Sequence, residues 1–234
     1  EGTRTSPGAA VISSTYFKTM IMRNTRIAGT WTNKVDLEVN TPQVRAPVTI
    51  SHGQVLILEN CSFEDNITPP KGVTPQIGGA LQLVSVLNVQ IAKSVFRGNN
   101  AHNGGAMSIQ GGASVNATIS DCVFEHNRCS FSGCAIQALF QFSYSSNNLV
   151  IPDQVVISST RFHNNSLYGD TTVSLVDARS TALYYRYFGG AAIFQDTSFA
   201  DGTITPQSSS LSIINSSFTA HTDRKSTRLN SSHT

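Results

Sequence analysis

Seven phenylalanines in this chain sit in one recurring local context, and that recurrence limits the fold more than any other feature. With each of Phe17, Phe63, Phe96, Phe124, Phe162, Phe199 and Phe218 as position zero, the residue seven before it is apolar: Ala10, Leu56, Val89, Ala117, Val155, Ala192, Leu211. So is the residue five before: Ile12, Leu58, Ile91, Ile119, Ile157, Phe194, Ile213. The residue two before is small: Thr15, Cys61, Ser94, Cys122, Thr160, Thr197, Ser216. A pattern held at three positions in all seven copies is an internal repeat.

The apolar alternation has the period of a strand with one buried face, and the run is too short for a helix. The markers are spaced by 46, 33, 28, 38, 37 and 19 residues. A constant local pattern at variable spacing places the insertions in loops while the strands keep register. The 46-residue gap implies an additional degenerate rung around Val35, Leu37 and Val39. The expected fold is all-β, a right-handed parallel β-helix incomplete at both ends. Its equivalent residues would repeat about every 4.8 Å, with the Phe column stacked inside.

Two signatures accompany the strands. Phe-x-x-Asn occurs as Phe63–Asn66, Phe96–Asn99, Phe124–Asn127 and Phe162–Asn165. Asn at a strand end tolerates left-handed backbone, and stacked copies would form an Asn ladder. A Gly-Gly-Ala corner opens the following strand at Gly78-Gly79, Gly104-Gly105, Gly133 (followed by Cys134) and Gly189-Gly190. Glycine there permits a tight turn and close backbone approach.

These paired tetrapeptides resemble those of the polymorphic outer-membrane proteins of chlamydiae, whose repeat is shared by other β-helical surface proteins. The resemblance covers roughly residues 55 to 200. It implies a right-handed parallel β-helix, export to the cell surface or outer membrane, and a passenger role in adhesion. The sequence departs from that pattern at GCAI and GGAA, and Phe17, Phe199 and Phe218 lack the Asn three residues on.

Residues 1–222 form the expected repeat domain. Residues 223–234 resemble the translation of a sequencing adapter and are set aside as a non-native tail. Without the tail's three basic and one acidic residue, 13 of each sign remain, so the charge balance gives no support for a nucleic-acid partner. No 18-residue apolar run is present, so membrane association would come only through further parts of the chain.

Cysteines 61, 122, 129 and 134 form no CxxC pair. Cys129 and Cys134 flank a short loop, giving either a local disulfide in an oxidising compartment or two free thiols. The histidines are dispersed, and His126 with Cys129 falls short of the three or four ligands a metal needs. No catalytic residue, metal or cofactor is therefore assigned. One residue after the marker, the column Lys18, Glu64, Arg97, Glu125, His163 alternates in sign, and Lys93 neighbours Asp121. Alternation relieves repulsion along a stack, the opposite of a two-carboxylate or Ca²⁺ site.

Tyr184, Tyr185, Arg186 and Tyr187 lie in a long insertion and form the candidate binding cluster, for a protein or glycan ligand at the cell surface. The other reading is a loop covering the helix flank. Five sequons precede the tail, at Asn60, Asn66, Asn116, Asn164 and Asn215. The functional expectation is a non-enzymatic, surface-exposed or secreted adhesin-like scaffold. A pectate-lyase-like enzyme and a structural wall or matrix protein are the alternatives.

Overall fold

The computed structural model describes residues 11–30, 46–68, 77–111, 115–142, 154–168, 192–199 and 210–223. Every described strand pairing is parallel, and the strands form three six-stranded sheets and one of four. The chain visits the sheets in a fixed cycle, here called faces A, B, C and D, so that each circuit is one coil of a β-solenoid. Parallel neighbours need a crossover; here the rest of the coil supplies it.

Face A contains Ile12–Thr15, Val48–Ser51, Leu81–Val84, Met107–Gly111, Ile136–Phe142 and Ile193–Phe199. Face B contains Thr19–Arg23, Val55–Glu59, Asn88–Ala92, Asn116–Ser120, Gln154–Ser158 and Ser210–Ile214. Face C contains Arg26–Ala28, Ser62–Glu64, Val95–Arg97, Val123–Glu125, Arg161–His163 and Ser217–Thr219. Face D begins at the third coil, with Asn100–Asn103, Arg128–Ser132, Ser166–Leu167 and Thr222–Asp223. The second coil reaches it through two isolated bridges, Ile67 to Asn100 and Ile77 to Asn103.

The repeat sets this register. On face B the apolar pairs Leu56/Leu58, Val89/Ile91, Ala117/Ile119 and Val155/Ile157 point inward and are buried. On face C, Phe63, Phe96, Phe124, Phe162 and Phe218 form one stack. Successive ring centroids are 4.8, 4.7, 5.2 and 4.7 Å apart, with planes within 8° of parallel. The spacing is that of adjacent strands, so the rings stack because the backbone does. Phe63, Phe96, Phe124 and Phe162 are fully buried, each contributing roughly 1.5–3 kcal/mol of transfer free energy.

Three expectations are corrected. The first-coil member of the column is Ile27, which pairs with Phe63, preceded by Met20, Met22 and Thr25. Phe17 instead occupies the corner between faces A and B, its ring filling the space beside Gly53, where an added Cβ would lie 1.9 Å from it. Phe199 ends a face A strand that pairs with Ile136–Phe142, while Phe162 pairs with Phe218. The additional rung around Val35–Val39 is excluded, because Thr19–Arg23 bonds directly to Val55–Glu59. Residues 31–45 themselves lie outside the described residues.

The corners share a device. Corners among the described residues turn on one residue of positive φ: Tyr16, His52 and Ser85 between A and B; Asn24, Asn60, Lys93, Asp121, Ser159 and Asn215 between B and C. Gly29, Asp65, Gly98, His126, Asn164 and Ala220 serve between C and D, and Gly78, Gly104 and Gly133 between D and A. Of the 13 non-glycine residues, eight are Asn, Asp or His, the types that tolerate this region best. Four asparagines and two histidines of the chain are therefore turn chemistry. The left-handed residue precedes the Asn of Phe-x-x-Asn, so that Asn serves in another way.

Candidate functional site

The polar columns come first, because they show which groups are already engaged. Asn66, Asn99, Asn127 and Asn165 are completely buried. Each amide nitrogen of the first three donates to the Oδ1 of the next, at 2.8, 3.0 and 2.9 Å. Each of the four also donates to a carbonyl one coil back, on Ile27, Phe63, Phe96 and Phe124. The expected ladder is present, and Thr30 closes one end by donating its hydroxyl to Asn66 at 2.7 Å. Buried in this way, Asn66 is removed from the sequons open to modification. Asn60, Asn116 and Asn215 are exposed, and Asn164 is half-buried.

The small residues two before the marker form a second ladder. Thr25, Cys61, Ser94, Cys122, Thr160 and Ser216 each donate to the carbonyl two residues earlier. Ser94, Thr160 and Ser216 also accept the backbone N–H of the preceding coil, from Cys61, Cys122 and Thr160. Size explained this column in the sequence; its hydrogen bonds are the physical reason for Ser, Thr and Cys. Burial pushes the Cys122 thiol up to about 11, so it is a packing group without thiolate character.

Cys129 and Cys134 are joined in a disulfide across the corner between faces D and A. At that corner Gly79 and Gly105 leave no room for a side chain. A Cβ on Gly105 would fall 2.3 Å from the carbonyl oxygens of Arg128 and Cys134. Beside it runs a buried chain of hydrogen bonds: Gln137 donates to Ser132, Ser132 to Asn103, and Ser108 to Gln137. Gly189 and Gly190 lie outside the described residues, as does the Tyr184–Tyr187 cluster.

The outer charges of face C are paired between coils. Arg26 meets Glu64 at 2.7 Å, and Arg23 meets Glu59 at 3.0 Å on face B. Glu125 is held by Arg97 at 2.5 Å and by Arg161 at 2.9 Å. The sequence column pairs Glu125 with His163; Arg161, two residues earlier in that strand, takes the place instead, and His163 bonds Thr219. Lys18 leaves the column along with Phe17. Lys93 and Asp121 occupy successive corners without an ion pair. Burial works against the charge of Glu125, but the hydrogen bond and charge of Arg97, with Arg161, outweigh it and lower its pKa. A hydrogen bond from Ser62, then Arg26, lowers that of Glu64.

One concavity lies where faces C and D meet, about 570 Å³ in volume and lined by Asn100, His126, Arg128, Asn164, Ser166, Leu167 and Tyr168. Three successive coils build it. Asn100, Arg128 and Ser166 are direct neighbours across face D. His126 and Asn164 are the left-handed corner residues of two adjacent coils, which turns their side chains outward, and Gly98 of the coil before them supplies none. The Tyr168 hydroxyl donates to Asn100 Oδ1 at 3.1 Å, and Asn164 bonds His126 Nδ1 at 2.9 Å. Sequence reasoning did not single out Arg128, Asn100 or Ser166. The signal was available only in register, as the column four residues after the marker.

No protein-family model, curated protein or solved structure matches this chain.

Proposed function

We propose that this chain is a non-enzymatic binding scaffold of the adhesin kind, a right-handed parallel β-helix that is secreted or displayed at a cell surface. The observation that carries the reading is the concavity across faces C and D, assembled from three coils of a backbone whose buried polar columns are internally satisfied. A ligand surface on such a stack is held in place by every neighbouring coil, which lowers the ordering cost of binding. Glu125, clamped between two arginines and held ionised, is poorly suited to donate a proton, and that favours holding over acid–base chemistry. The Cys129–Cys134 disulfide suits an oxidising compartment outside the cytosol. The right hand follows from the general preference of parallel crossovers, about 98% of which are right-handed. The Phe-x-x-Asn and Gly-Gly-Ala tetrapeptides support kinship with the polymorphic outer-membrane repeat proteins and their surface role.

The test is to immobilise the full chain and measure retention of intact and enzymatically deglycosylated cells, alongside a panel of soluble polysaccharides assayed for cleavage. Retention of cells without any cleavage product is expected. Time-dependent release of reducing or unsaturated sugar ends would overturn the reading in favour of a carbohydrate-active enzyme.

A further inference from the structure

We propose that the concavity on faces C and D binds an anionic sugar, a saccharide bearing carboxylate or sulfate, with Arg128 as its charge anchor. The proposal deepens the scaffold reading above and rests on it.

Arg128 stands apart from its neighbours. The other arginines among the described residues, Arg23, Arg26, Arg97 and Arg161, each have a carboxylate within 3.0 Å. Arg128 is exposed and has no ion pair among the described residues, although the same cross-coil spacing that pairs the others surrounds it. Its neighbours on face D are the neutral Asn100 and Ser166. An unpaired guanidinium in water is unremarkable alone. This one lines a concavity whose size lies within the roughly 300–1,000 Å³ range of small-ligand sites.

The remaining polar groups decide what ligand fits. Tyr168 donates to Asn100 Oδ1, which occupies that acceptor and leaves the Asn100 amide nitrogen as a donor. Asn164, donating its amide to His126 Nδ1, makes that nitrogen the acceptor and places the proton of the neutral ring on Nε2. Each bond uses one donor and one acceptor, the Tyr168 O–H with Asn100 Oδ1 and an Asn164 N–H with His126 Nδ1, which leaves Asn164 Oδ1 as an acceptor beside the donors. Asn100 and His126, with the Ser166 hydroxyl and the five N–H groups of Arg128, form a donor-rich wall around one fixed positive charge. Its complement is rich in acceptor oxygens and negatively charged. A guanidinium takes carboxylate or sulfate through a two-pronged contact, and amide and hydroxyl groups suit sugar hydroxyls. A peptide site would call for a more apolar lining; among the described lining residues Leu167 and the Tyr168 ring supply it, beside five polar or charged side chains.

The experiment is titration calorimetry of the full chain at low salt with five probes. They are a uronate-containing tetrasaccharide, a sulfated tetrasaccharide, maltotetraose, inorganic sulfate and an oligoglutamate peptide. At least one charged tetrasaccharide should bind, more tightly than maltotetraose, sulfate or the peptide; the uronate and sulfated arms identify which anion is preferred. Arg128→Gln should weaken that binding roughly 10- to 100-fold, the range expected for loss of charged hydrogen bonds. Arg128→Lys, which keeps the charge and loses the fork, should fall between. The side chain has no partner among the described residues, so both variants should melt with the parent chain. Absence of binding, equal binding of the neutral sugar or the peptide, or unchanged affinity in Arg128→Gln would each overturn the proposal. If cells are still retained in any of those cases, the scaffold reading survives with its surface elsewhere. If retention is lost too, both fail.

Discussion

Replacing Asn127 with alanine removes one step of the buried ladder, and the cost can be counted. Its side chain makes four hydrogen bonds: it donates to Asn165 Oδ1 and the Phe96 carbonyl, and accepts from the Asn99 backbone N–H and amide nitrogen. Asn127 is fully buried, so water cannot take over these bonds. At about 1–1.5 kcal/mol for each buried group left without its partner, the loss is roughly 4–6 kcal/mol. That approaches the whole stability of many domains, about 5–15 kcal/mol. Asn88→Ala is the control, because Asn88 is exposed and its amide makes a single bond to the Gln54 carbonyl; its expected cost is below about 1 kcal/mol. Urea unfolding followed by far-UV circular dichroism gives both values. Native-state hydrogen exchange adds a local readout, since the Asn99 amide should lose protection in Asn127→Ala while cross-strand amides of face B keep theirs. A loss below about 1 kcal/mol for Asn127→Ala, or equal losses in the two variants, would refute the ladder as a principal stabilising column.

Glu125→Gln should cost about 1 kcal/mol at neutral pH, because its arginine partners are largely exposed and screened. The native pKa of Glu125 is lowered, so the pairing contributes above the unfolded carboxylate pKa and is lost as pH falls through the lowered native value. The difference between parent and variant should therefore shrink on acidification; a difference that grows would contradict the assignment. Gly105→Ala should be severely destabilising, by roughly 3 kcal/mol or more, because its Cβ would meet two carbonyl oxygens at 2.3 Å. Gly29→Ala has nothing within 4 Å and faces only its positive φ, a cost of about 1–2 kcal/mol. Thermal melts of the two variants should rank in that order, and the reverse order would place the close coil approach elsewhere.

The register of faces B and C from the second coil onward is legible because an inward strand face must alternate, and Phe63, Phe96, Phe124 and Phe162 each carry the Asn that binds a neighbouring coil. The errors arose where the pattern was too permissive. Phe17 and Phe199 satisfied three positions because face A strands also alternate and also contain small residues. Three residues on they have Met20 and Gly202, neither of which can extend an amide ladder. A marker defined by aromaticity misses Ile27, although the position requires only an apolar side chain. Preceded by Met20, Met22 and Thr25, it fits the repeat better than Phe17 does. The concavity was illegible for a different reason. Arg128, Asn100 and Ser166 are 28 and 38 residues apart in steps along the chain, and only correct stacking makes them neighbours. The significance of Arg128 depends on a second fact, the pairing of every other described arginine, which side-chain geometry alone supplies.

The central claim, parallel coils stacked in one register without an intervening rung, is tested most directly by a spin-label distance. Ile21, Ile57, Gln90, Thr118, Val156 and Ser212 are successive outward neighbours on face B. Labels can be placed at Ile21, Ile57 and Ser212 through introduced cysteines, because the native free thiols Cys61 and Cys122 are buried. Pulsed electron resonance should give about 24 Å for Ile21–Ser212 and about 19 Å for Ile57–Ser212, five and four steps of about 4.8 Å. The difference between the pairs, which cancels the length of the label tethers, should be one step of about 4.8 Å. A difference of about 9.6 Å would put a further rung between the first two coils, and distances that do not track the step count would contradict the stacked register itself.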